Sequence, residues 1–96
     1  MKEAEIKQTL IDRFEYSKNS AGAVASRILA MDADTFAALK LFFETGKLDQ
    51  SLSCGEYSVA TLIEDYDLKP PAAYLAISDL KKDYAAMSSL LRDGIK

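Results

Sequence analysis

From Pro70 to Asp93 the chain has no glycine, and its only two prolines stand at the start of that span. Within it Ala73, Ile77, Leu80, Tyr84, Met87 and Leu91 recur at spacings of four, three, four, three and four. That rhythm winds one apolar stripe along a helix and does not fit the two-residue period of a strand. Pro70 suits a first helical position, where no N–H is needed, and it holds Lys69 extended before it. A helix is expected from Pro70, in phase through Asp93, and one continuous helix is the simpler reading. Asp83 could instead cap a separate short one.

The same period runs through most of the remaining chain. Ile6, Leu10, Ile11 and Phe14 gather on one face of a helix expected over Lys2–Lys18, with Glu3 and Lys7 paired one turn apart. Asn19 or Ser20 is expected to cap a second helix through Leu29, where Ala21, Val24, Ala25 and Ile28 share a face. Gly22 weakens it by about 1 kcal/mol relative to alanine but permits close packing. Asp34 is expected to cap a third, Thr35–Thr45, whose broad stripe includes Phe36, Ala38, Leu39, Phe42 and Phe43, with Gly46 as its left-handed stop. Ser58 caps a fourth, closed by Asp67–Lys69. Residues 46–57 lack a helical period and read as an irregular loop. Leu48, Gln50, Leu52 and Cys54 alternate there with polar neighbours, but one strand without a partner is not a sheet.

Ninety-six residues, 49% of them apolar, form one domain over 1–96. The expected class is all-α: a single small bundle of five helices, or six if Asp83 breaks the last. It holds a helix-turn-helix-like pair at 58–82. Phe14, Phe36, Leu39, Phe43, Leu62, Ile63, Ile77 and Leu80 are its expected core.

Chemistry is constrained mainly by exclusion. One cysteine and no histidine rule out an internal disulfide, a thiolate zinc tetrad, a His-ligated metal and any nucleophile activated by imidazole. Asp32-Ala33-Asp34 fails as a calcium loop, because Ala37 and Phe43 fall where Gly and Glu are required. Gly46-Lys47 fails as a phosphate loop, because Leu41 and Leu48 occupy the other defining positions. Glu64 and Asp65 point about 100° apart on a helix and read as a solvated face rather than an acid–base pair. Cys54 lacks a neighbouring base that would activate it. No catalytic, cofactor-binding or metal-binding residues are assigned, and the expectation is a protein that is not an enzyme.

Residues 48–68 carry five acids and no base within a chain of net charge −3. The face of the Pro70 helix opposite its stripe presents Pro71, Tyr74, Leu75 and Ser78, an apolar surface expected to meet a protein partner or a second copy of the chain, for instance as a homodimer. The alternative is a nucleic-acid-binding regulator using Lys69, Lys81, Lys82 and Arg92. The acids of the preceding helix and the lack of Arg, Asn or Gln on the reading face argue against it. Met1–Leu10 is interrupted by Lys2, Glu3, Glu5 and Lys7, unlike a signal-peptide core, and no apolar run approaches the roughly 20 residues of a membrane span. The expected location is cytoplasmic.

Overall fold

In the computed structural model, which describes residues 2–93, the first helix, α1, spans Glu3–Phe14 and stops short of Lys18. Glu15 turns left-handed at φ 59°, and the N–H of Tyr16 closes back on the Leu10 carbonyl at 3.2 Å. Ser17, rather than Asn19 or Ser20, then caps α2 (Lys18–Leu29), its hydroxyl accepting from the Ser20 N–H at 3.1 Å. The two helices make the most extensive helix–helix contact of the fold. Ile6 and Leu10 of α1 and Ala21, Ala25 and Ile28 of α2 are all buried, and the alanines let the backbones approach closely.

Helix α3 (Ala33–Thr45) begins one turn-residue pair earlier than Asp34 predicts, because Asp32 takes the capping role. The Asp32 carboxylate accepts from the Thr35 N–H at 3.1 Å and the Thr35 hydroxyl at 3.0 Å. Gly46 ends α3 at φ 74°, its N–H on the Phe42 carbonyl at 2.8 Å, as the sequence predicts.

The loop that follows contains an element the sequence left without a partner. Ser53–Cys54 (β1) pairs antiparallel with Tyr57–Ser58 (β2), with Gly55 at φ 62° in the turn between them. Gly55 meets a second demand: a Cβ there would run into the ring of Tyr84. Ser58 caps the short α4 (Val59–Glu64) by accepting from the Thr61 N–H at 3.1 Å. Asp67, left-handed at φ 57°, leads into Lys69 and Pro70.

Helix α5 (Pro70–Lys82) starts at Pro70 as expected but does not continue through Asp93. Asp83 is extended, with φ −152° and ψ 88°, and caps α6 (Tyr84–Arg92) by accepting from the Ala86 N–H at 3.2 Å. Six helices and a two-residue-per-strand hairpin therefore make up the described residues, an all-α bundle. The break also divides the stripe: Ala73, Ile77, Leu80 and Leu91 are buried, Met87 is half-buried and Tyr84 is exposed. Of the expected core, Leu39, Phe43, Leu62, Ile77 and Leu80 are buried, whereas Phe14, Phe36 and Ile63 sit half-buried at its margin.

Ile77 is wholly buried. Ile77→Ala is expected to cost about 2–5 kcal/mol through the cavity it leaves, read as a shift in urea midpoint. Asp32 supplies a pH-dependent contribution. Burial alone would raise its carboxyl, but the Thr35 hydrogen bonds and the Lys81 ammonium, 3.1 Å away, outweigh that and lower it from 3.8 to about 2. A carboxyl whose pKa is depressed by folding stabilises the fold above its unfolded value and loses that contribution as pH falls through its folded value. The stability advantage of the parent over Asp32→Asn is therefore expected in full above about pH 4 and to shrink toward pH 2, checked by urea melts across that window.

Candidate functional site

The face of α5 expected to meet a partner lies inside the protein. Tyr74 is fully buried, Ser78 is 1% exposed, Leu75 is 5% exposed, and Pro71 is buried with them. Tyr74 stacks on Phe42 of α3 with ring centroids 5.7 Å apart, and its hydroxyl accepts the Asp49 N–H at 3.0 Å. The loop after α3 has folded over it. Burial also raises the phenol above its ordinary pKa of 10.0. Exposure of Pro71, Tyr74, Leu75 and Ser78 is thus corrected: α5 is covered on both faces, meeting α2, α3, α4, α6 and β1. A helical wheel defines the two faces of a helix but does not record how many neighbours it has.

Three of the four basic residues of the nucleic-acid alternative have partners within the fold. Lys69 donates to the Phe14 carbonyl at 2.9 Å, at the C-terminal end of α1, and lies over the Tyr16 ring at 4.6 Å. Lys82 donates to the Ala30 carbonyl at 3.2 Å, at the end of α2. Lys81 reaches the Asp32 carboxylate at 3.1 Å and the Thr35 hydroxyl at 3.0 Å, at the start of α3. The first two neutralise the negative ends of helix dipoles. Arg92 stands exposed on the last turn of α6. Pro71, Tyr74, Leu75 and Ser78, being buried, offer no surface that could enter a DNA groove.

Glu64, Asp65 and Asp67 are exposed, and Cys54 is half-buried. Among the described residues no three His, Cys, Asp or Glu side chains converge on a point where a metal ion could sit, and no helix is long and apolar enough to cross a membrane.

What the fold does expose is a concave apolar groove of about 400 Å³ between α2, α5 and α6. Leu68, Leu75, Ala76 and Met87 form much of its lining, and Val24 of α2 closes one side. At its edge Arg27 of α2 and Asp79 of α5 form an ion pair. Leu90 of α6 stands on the rim, 50% exposed. Leu75 is the one residue of the predicted patch that reaches this surface, as part of its floor. The others were not legible as a set: Val24, Arg27, Leu68, Met87 and Leu90 come from three segments that meet only because α6 folds back. The available signal was Leu90, an apolar side chain beside Leu91 but off the stripe. A second groove of about 560 Å³ lies between α3 and residues 47–51, where Leu41 is 59% exposed, but Lys47, Asp49, Gln50 and Ser51 make that wall polar.

Comparison with protein-family models, curated proteins and solved structures finds no match to this chain.

Since Tyr74 belongs to the interior, its substitutions are expected to act on stability. Tyr74→Phe keeps the stack on Phe42 but leaves the Asp49 N–H without its acceptor, an expected cost of about 1–3 kcal/mol in a urea melt with the helical dichroism unchanged.

Proposed function

We propose that this chain is a small non-catalytic interaction module that seats the apolar side of a partner protein's helix in the groove between α2, α5 and α6. The carrying observation is the groove itself: an apolar hollow with half-buried Val24, Leu68 and Met87 in its walls and Leu90 half-exposed on its rim. Clustered exposed apolar surface of this kind is costly to leave in water and characteristically marks a contact. Met87 supports the reading, because an unbranched thioether adapts to the shape laid against it. The Arg27–Asp79 pair would supply the polar fringe that fixes the direction of an incoming helix.

A helix suits the groove better than an added strand. Its walls are helices, and the only sheet among the described residues has two-residue strands that offer little edge for pairing. The exposed, divergent carboxylates and the lack of histidine favour binding over catalysis. A lone half-buried cysteine suits the reducing conditions of a cytoplasmic setting.

A photo-cross-linking amino acid at position 90, compared with one at the similarly exposed Leu41, tests the assignment in the native cell. A discrete adduct is expected from position 90 and not from position 41. Leu90→Asp is expected to abolish capture of that same partner while changing stability by less than about 0.5 kcal/mol. Equal adducts from both positions, or capture unaffected by Leu90→Asp, would remove the groove as the site.

A further inference from the structure

The junction between α5 and α6 is one residue long. Asp83 is extended, yet its N–H still reaches the Asp79 carbonyl at 3.0 Å, and its own carbonyl accepts the Met87 N–H at 3.0 Å. The apolar rhythm crosses it without a slip, from Ala73, Ile77 and Leu80 to Tyr84, Met87 and Leu91. Straightening that residue would produce a single amphipathic helix over 70–92, roughly 35 Å long at 1.5 Å per residue. It would also join the last carbonyls of α5 to the first amides of α6, groups that a helix end leaves outside the ladder.

Bending secures the seat of α6 instead. Leu91 and Ser88 are buried there, Met87 walls the groove, and the Tyr84 ring lies on Gly55, 6.2 Å from that of Tyr57. A single chain cannot have both arrangements. Lys82 already sits at the end of α2, so a straight helix leaves the body of the protein there and carries its stripe into water. Two chains can have both, because each copy offers the same seat.

We propose that α6 exchanges between two copies of this chain. In the exchanged dimer α5 and α6 fuse into one helix, and each α6 takes the seat on the other copy, against α5 and the hairpin. The groove of each half is then walled by the partner subunit's Met87 and the partner subunit's Leu90. The arrangement closes on a two-fold axis and adds no new side-chain surface beyond the contact already present within one chain. It rests on the hinge and the helical phase and is independent of what the groove binds.

Asp83→Ala removes the cap that favours the bend and supplies a strong helix former. After refolding at high protein concentration, light scattering on a sizing column is expected to show a dimer fraction several-fold above the parent's. Asp83→Gln carries the same expectation should the alanine variant fold poorly. Insertion of two glycines after Asp83 breaks the phase and relaxes the hinge, and is expected to leave monomer. Exchange is separated from face-to-face pairing by co-refolding equal amounts of light and isotope-labelled protein and photo-oxidising neighbouring tyrosines. About half of the Tyr57–Tyr84 links are expected to join the two labels, as random pairing of closed dimers requires. Tyr57–Tyr66 links, whose rings lie 6.0 Å apart within the body, should stay within one label. Folded Asp83 variants that remain monomeric at every concentration overturn the proposal, as does a dimer whose Tyr57–Tyr84 links never cross labels.

Discussion

Burial of α5 on both faces is the constraint around which the other elements are arranged. A helix with water on one side needs only one apolar stripe, whereas this one hides Ala73, Ile77 and Leu80 on one side and Pro71, Tyr74 and Ser78 on another. Neighbours must therefore surround it. The α1–α2 pair, α3 with its following loop, α4 and α6 each cover part of it, and the Tyr74 hydroxyl links α5 to the loop through the Asp49 N–H. Ser78 shows the strictness of the enclosure, since its hydroxyl is buried without a hydrogen-bond partner among the described residues.

The ends of α5 carry the charge that its sides exclude. Lys69 before its first turn and Lys81 and Lys82 in its last reach the ends of α1, α3 and α2 in turn. Lys69 and Lys82 thus meet helix C-termini, where carbonyl groups lack partners and a cation is favoured, whereas Lys81 pairs with the Asp32 carboxylate that caps the start of α3. The acids of residues 48–68, with no base among them, have no such role and are mostly left in solvent.

The groove and the hinge share one origin. Because Asp83 leaves the helical region, α6 turns back and faces α2 and α5 across an apolar hollow instead of running on past the body. The bend is anchored at both ends, by the Asp83 cap at its start and by Leu91 in the core. Tyr84 gains a place on Gly55, a position where any side chain would collide with the ring. The extended conformation of a single residue therefore governs a surface, a packing contact and the direction of a stripe.

Local signals were legible wherever the neighbouring residues alone satisfy a backbone group. Gly46 as a left-handed stop, Ser58 as a cap and Pro70 as a first helical residue all follow from the chain near them, and each stands where its chemistry predicts. Where two residues can do the same task the sequence did not choose between them. Ser17 caps α2 in place of Asn19 or Ser20, and Asp32 caps α3 in place of Asp34, where it also meets Lys81 from a distant helix. Helical class, the period of each stripe and the lack of imidazole chemistry were determined by sequence alone, because propensity, spacing and composition are properties of one chain segment at a time. Tertiary structure decided that α5 is enclosed, that the helix bends at Asp83 and that five scattered side chains line one groove. Burial depends on how many neighbours an element acquires, and that number is set only when the whole chain has packed.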